Sequence, residues 1–121
     1  MQPSEPLVIE RLVGDGGVQE VLRLNGPLTF ENVSPFQNAM RAKGAPTMIL
    51  DLEGVPYVDS AGLGSLVGAC VSVQKSGRRV ALTGLNDRVM RLFEITRTEP
   101  LFLIFPTLED AIEGLTHSGQ A

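Results

Sequence analysis

The residues best suited to chemistry stand together mid-chain: Asp51, Glu53, Asp59 and Ser60, the last two opening the run Asp59-Ser60-Ala61-Gly62-Leu63-Gly64-Ser65. A serine beside a carboxylate at a helix start has two ordinary uses. Asp59 or Ser60 caps the helix, its side-chain oxygen accepting a free N–H of the first turn. Alternatively, the Ser60 hydroxyl is held outward on a rigid turn, open to modification. Nucleophilic catalysis asks for more, because the hydroxyl then needs a base within hydrogen-bond reach. The one histidine, His117, falls in the polar run Thr116-His117-Ser118-Gly119-Gln120-Ala121, and Asp-Ser-Ala-Gly is not the G-x-S-x-G elbow of a serine hydrolase. The chain is not expected to be an enzyme.

The other reactive side chains read as structural. Asp51 closes an apolar run and Pro56 follows, a pattern near that of a phospho-aspartate receiver. The spacing is off by one residue, and the first strand offers no acidic pair for Mg²⁺. Asp51, Glu53 and Asp59 have no evident partner base, so solvation and capping account for them better than acid–base work. Cys70 falls on an apolar helix face, the place of an inert buried thiol.

Composition narrows the field further. The chain has 121 residues, 43% of them hydrophobic, enough for one domain to bury a core without staples. Ten basic residues stand against 14 acidic ones, a net charge of −4. That argues against a nucleic-acid coat and against an anionic membrane surface; Arg78-Arg79 is too short a basic run to change this. One Cys and one His exclude a disulfide framework and an ordinary zinc or facial-triad metal site, and no cofactor is implied. The start Met1-Gln2-Pro3-Ser4-Glu5-Pro6 lacks the basic and apolar regions of a signal peptide, and no apolar run approaches the roughly 18 residues of a membrane span. A cytoplasmic protein is expected, ordered over about 7–115, with 1–6 and 116–121 as loose termini.

The elements that must position Ser60 follow from periodicity. Leu7 to Val13 and Val18 to Leu24 read as strands joined by Gly14-Asp15-Gly16-Gly17, a hairpin signal. Alternation in the second is imperfect, with Glu20 in the Val18, Leu22, Leu24 row. Phe30, Val33, Phe36 (or Gln37) and Met40 recur at helical intervals, with Thr29 or Asn32 available as cap and Pro35 placing the regular part near Ser34. Thr47 to Leu52 has the continuous apolar pattern of a strand buried on both faces. A loop from Gly54 to Asp59 leads to a helix over Ser60–Ser76. Then come a strand at Arg79–Thr83, a helix capped by Asn86 or Asp87, a strand at Leu101–Phe105, and a last helix through Leu108, Ala111, Ile112 and Leu115. The order β-β-α-β-α-β-α-β-α predicts one α/β domain: a mixed sheet of four to five strands with an opening hairpin, and four helices.

Projected at 100° per residue, the central helix has two unlike faces. Leu63, Leu66, Val67, Cys70, Val73 and Gln74 point one way, toward the sheet. Ala61, Gly64, Ser65, Gly68 and Ser72 point the other. A solvated face would normally carry Lys, Glu or Gln, and each interior Gly costs about 1 kcal/mol relative to Ala. A flat stripe of this kind suits the close approach of another backbone. That backbone belongs either to a partner or to a neighbouring part of the same chain.

At this point a family resemblance enters. Asp59-Ser60-Ala61-Gly62-Leu63-Gly64, after the strand Ile49-Leu50-Asp51-Leu52, resembles the signature of STAS domains, in particular bacterial anti-sigma factor antagonists. The likeness runs from about Leu7 to Leu115. It takes in Gly26-Pro27-Leu28-Thr29, Gly84-Leu85-Asn86, Arg91-Leu92-Phe93-Glu94 and Glu109-Asp110-Ala111. It implies that Ser60 is the phosphoacceptor for an anti-sigma factor that is also a serine kinase. The unphosphorylated form then binds that factor and frees the sigma factor, and a serine phosphatase resets the cycle. With it go Asp59, Ala61, Gly62, Gly64, Ser65 and Gly68 as the contact surface, and Thr29 and Asn86 on its rim. The chain departs from the pattern at Thr29, where many members carry Asp, and at Thr96-Arg97-Thr98-Glu99-Pro100, which replaces a short Gly-containing turn. Within the same fold, the other reading is a scaffold or ligand-binding subunit of a signalling complex or transporter.

Overall fold

A computed structural model describes residues 6–42 and 44–118, apart from the side chains of Asp15, His117 and Ser118. The expectations for residues 1–5 and 119–121, and for the His117 side chain, fall outside the described residues.

Two strands open the chain, β1 (Val8–Val13) and β2 (Gln19–Asn25), joined by a 3-10 turn over Asp15–Gly17. Gly16 and Gly17 hold φ of 77° and 69° there, angles that glycine reaches without strain. The rest is α1 (Val33–Arg41), β3 (Thr47–Gly54), α2 (Ser60–Lys75), β4 (Arg79–Thr83), α3 (Asp87–Thr96), a 3-10 turn at Glu99–Leu101, β5 (Ile104–Phe105) and α4 (Leu108–Ser118). The five strands lie side by side in chain order; β1 is antiparallel to β2, and the remaining neighbours are parallel. The predicted mixed sheet, opening hairpin and four helices are all present.

Strand alternation divides the core in two. Leu22 and Leu24 of β2, Met48, Leu50 and Leu52 of β3, and Val80 and Leu82 of β4 meet α1, α2 and α3 on one face. Val21, Ile49 and Ala81 meet Ala111 and Leu115 of α4 on the other. β3 is buried on both sides, which is why Thr47 to Leu52 reads as an unbroken apolar run rather than an alternating one.

Several boundaries differ from expectation, each for a physical reason. The fifth strand is two residues, not five. Arg97 turns left-handed at φ 59°, the chain coils once, and Phe102 turns inward to stack on Phe93 at 4.9 Å between ring centres, leaving Leu101 and Leu103 exposed. Phe30 is not part of the α1 stripe: Asn32 ends the loop, the helix starts at Val33, and Phe30 is 77% exposed. Gln74 on α2 is exposed rather than facing the sheet. Residues 116–118 are not a loose tail but the last turn of α4, held by the buried Leu115 and by Thr116 Oγ1 donating to the Ile112 carbonyl at 2.7 Å.

The irregular alternation of β2 has a single cause. Glu20 sits on the helical face of the sheet and is almost wholly buried. Its carboxylate pairs with Arg11 of β1 and with Arg78 Nη2 at 3.2 Å, and it accepts the Ala45 N–H at 3.2 Å. The two guanidiniums extend the network, Arg11 to the Ala39 carbonyl at 2.7 Å and Arg78 to the Ala45 carbonyl at 2.9 Å. One carboxylate thus joins β1, the end of α1, the loop before β3 and the turn before β4. Removing it strands two cations in partly buried positions, so Glu20→Ala should destabilise the fold by about 3 kcal/mol. Denaturant unfolding measures this, and a loss under about 1 kcal/mol would mean these segments hold together without the pairing.

A second prediction separates the glycines of α2. A Cβ on Gly62 would stand 2.0 Å from the Leu28 carbonyl oxygen, whereas one on Gly64 or Gly68 would meet nothing within 4 Å. Gly62→Ala should therefore cost about 2 kcal/mol or more. Gly64→Ala should stabilise by up to about 1 kcal/mol through helix propensity. Thermal melts of the two variants should move in opposite directions.

A candidate phosphoacceptor and docking site

Parallel strands deliver their following loops to one end of the sheet, the common place for sites in α/β folds. Here the loops after β2, β3 and β4 meet at that end. Leu28 of the first forms a parallel bridge with Val58 of the second. Its N–H donates to the Tyr57 carbonyl at 3.1 Å, and its carbonyl accepts from the Asp59 N–H at 3.2 Å. Asn32 stiffens the first loop from inside, donating to the Pro27 carbonyl and accepting the Thr29 N–H at 2.7 Å. Asn86, after β4, caps α3 by accepting the Val89 N–H at 2.8 Å and donates to the Val55 and Pro56 carbonyls at 3.3 and 3.1 Å. Below it, Arg88 lies 4.9 Å over the Tyr57 ring.

Asp59 resolves the capping question. Its Oδ1 accepts the Gly62 N–H at 2.8 Å, making it the N-cap of α2, and its Oδ2 accepts the Phe30 N–H at 3.0 Å. Ser60 is the first helical residue and is exposed, and among the described residues no side chain or backbone group engages its hydroxyl. The first N–H groups of a helix have no intrahelical partners, so this hydroxyl stands where an anion is favoured.

Below Ser60 the small residues of α2 face α1 across a groove of about 460 Å³, lined by Ala61, Gly64, Ser65, Gly68, Ala69 and Ser72 on one wall. Gln37, Met40 and Arg41 form the other, and Gln37 Nε2 donates to Ser65 Oγ at 3.3 Å. Ala61, Gly64, Ser65 and Gly68 thus lie together on one accessible wall. Gly62 does not. It is buried against Leu28, so its missing side chain serves packing, and it cannot be part of an outward contact surface. Thr29 is half-buried beside Asn32, and Asn86 is exposed but committed to its cap.

The remaining reactive groups are occupied or inert. Asp51 is buried, its carboxylate accepting from Arg23 Nε at 3.2 Å and from the Glu53 N–H at 3.1 Å. Burial pushes the Cys70 thiol up to about 12, which leaves it protonated and unreactive at neutral pH. Among the described residues no group of three or more His, Cys, Asp or Glu is placed to hold a metal ion, and no helix is long and apolar enough to cross a membrane. Sequence reasoning missed the α1 wall of the groove and the exposure of Phe30. The second was findable: once Asn32 is taken as the cap, Phe30 lies two residues outside the helix and its apolar stripe.

Comparison with known proteins bears on this arrangement. Residues 11–111 match the STAS domain family. The anti-sigma-B factor antagonist of Staphylococcus aureus is 39% identical over 83 residues, which cover 66% of this chain and 77% of that protein. A solved Thermotoga maritima protein assigned as an anti-sigma factor antagonist superposes with a TM-score of 0.78 at 27% identity, over 88% of this chain and 92% of that one. The Bacillus anti-sigma factor antagonist SpoIIAA, solved unphosphorylated and phosphorylated, shares the fold, with TM-scores of 0.66 and 0.64 at 19% and 20% identity over 90% and 89% of this chain and 98% and 99% of SpoIIAA. With its sheet order, its Asp59-Ser60 helix start and these relatives together, the chain belongs to the STAS domain family.

Proposed function

We propose that this chain is an anti-sigma factor antagonist acting as a single STAS domain in the cytoplasm, a binding protein and kinase substrate rather than an enzyme. The observation that carries the reading is the division of labour at the start of α2. Asp59 takes the cap, and among the described residues nothing engages the Ser60 hydroxyl at the head of the groove. A methyl group on either of the two exposed glycines below it, Gly64 and Gly68, would meet nothing within 4 Å, yet each glycine costs about 1 kcal/mol of helix stability. A face kept flat at that cost, with no internal neighbour to require it, suits an external backbone. The Staphylococcus aureus relative supports the class of partner.

In this reading the unphosphorylated chain docks an anti-sigma factor along Asp59, Ala61, Gly64, Ser65 and Gly68, with Thr29 and Asn86 at the rim, and so releases the sigma factor. The anti-sigma factor is also the kinase. Ser60 Oγ takes the γ-phosphoryl group of ATP, ADP departs, and the hydroxyl proton passes to a base of the kinase. A serine phosphatase restores Ser60 by directing water to the phosphorus and releasing inorganic phosphate. The phosphate adds −1.5 to −2 charge units beside Asp59. The free N–H groups and dipole of α2 accommodate that charge, so the helix stays folded and only docking is lost. A hundredfold fall in affinity needs about 2.8 kcal/mol, within reach of a desolvated charge without a partner.

The test is phosphopeptide mapping after incubation with ATP and the serine-kinase anti-sigma factors of the same organism, followed by binding measurements. One added phosphate on Ser60 is expected, with none in Ser60→Ala. Ser60→Ala should bind the unmodified partner as tightly as wild type, and Ser60→Asp at least tenfold more weakly. Phosphate absent from Ser60 with every kinase shown active on another substrate would overturn the switch.

A further inference from the structure

We infer that Phe30 is an aromatic anchor of the partner interface, displayed from the loop after β2 and positioned by Asp59; the inference rests on the antagonist reading above and extends it. Phe30 is 77% exposed, the most exposed of the large apolar side chains, and it is not a frayed residue. Its own N–H is held by Asp59 Oδ2 at 3.0 Å. The residues on either side are fastened as well. Leu28 is fully buried and bridged to Val58, and Asn32 is buried and bonded to Pro27 and Thr29. The chain thus presents a phenyl ring on a stitched platform that nothing in the fold uses for packing.

Two consequences follow from that geometry. A ring on a preordered backbone loses little freedom on binding, and aromatics seated in a partner's pocket are typical interface anchors. Second, the carboxylate that holds Phe30 also caps α2, so it binds the Phe30 loop directly to the turn bearing Ser60. The surface that docks the anti-sigma factor therefore extends across this carboxylate to Phe30, and the matching feature on the anti-sigma factor is an apolar cleft lying beside its phosphoryl-transfer site. Ser60 phosphorylation places a second negative group next to the carboxylate that holds the anchor. Asp59 is a positioning residue here, acting through Phe30.

The experiment uses the full chain and a purified serine-kinase anti-sigma factor of the same organism, with affinity read by titration calorimetry. Phe30→Ala should weaken binding at least thirtyfold, the loss expected of a hot-spot aromatic, while Phe30→Leu recovers part of it. Ile95→Ala, which truncates an equally exposed side chain on α3, should leave affinity within twofold. All three variants should melt within a few degrees of wild type, since neither side chain is buried. For the positioning role, amide exchange at Phe30 should quicken in Asp59→Ala. Wild-type binding with Phe30→Ala unchanged would overturn the inference and leave the antagonist reading standing. No binding by wild type to any such factor would overturn both.

Discussion

The closeness of α2 to the loop after β2 is the constraint on which the site depends. Gly62 lies against the Leu28 carbonyl with no room for a methyl group, and Asp59 accepts one N–H from each of the two segments. If that contact opened by an ångström or two, Asp59 would lose the Phe30 N–H and the loop would no longer be tied to the turn that carries Ser60. The contact in turn requires β2 and β3 to run parallel side by side, so that their following loops emerge at the same end and pair through Leu28 and Val58. At the opposite end of the sheet, Glu20 with Arg11 and Arg78 fixes how β1, α1 and β4 approach one another. The two ends solve different problems. One is a charged network that keeps the layers in register, and the other is a neutral, close-packed turn that leaves its outer surface free.

That division suits a charge switch. A phosphate added in the middle of a helix or beside a buried carboxylate would perturb the fold. At the first residue of α2 it meets the positive end of the helix. In the proposed switch, a phosphate on Ser60 would therefore be accommodated by the fold at the head of the α2 groove. Under the antagonist proposal, selectivity would come from the difference between a groove that a neutral backbone can enter and the same groove headed by a divalent anion.

Much of this was legible in the sequence, and the failures have a common cause. The order of elements, the buried strand at Thr47 to Leu52, a cap at Asn86 or Asp87 and most of the sheet-facing side of α2 follow from local patterns, which propensity and periodicity encode within a few residues. The errors arose where long-range contact overrode a local pattern. Phe102 leaves a strand-like run to stack on Phe93, so the fifth strand shrinks to Ile104–Phe105. Phe30 fits the helical spacing of Val33 and Met40 but is drawn out of the helix by its N–H bond to Asp59, which is 29 residues away in sequence. Glu20 breaks alternation because Arg78, 58 residues on, comes back to meet it. Helical projection sets Gly64 on the outward face of α2 and leaves Gly62 on neither. Only the placement of Leu28 shows that one glycine serves the interior and the other the surface.

The glycines also bear on why the domain is built at some cost to itself. Replacing Gly64 and Gly68 with alanine would meet no obstacle inside the fold, and propensity alone favours it by roughly 2 kcal/mol in total. For a protein with the usual 5–15 kcal/mol of stability that is a substantial reserve left unused. A stable fold gains nothing from such a face, but an interface does: without side chains the α2 wall lets another backbone reach the helix itself, and it freezes no rotamers on contact. Specificity must then come from elsewhere, because a bare wall discriminates little between partners. Side chains around the flat region, including those of α1 across the groove and the loop after β2, are the elements free to supply it without disturbing Asp59, Ser60 or the packing of Gly62.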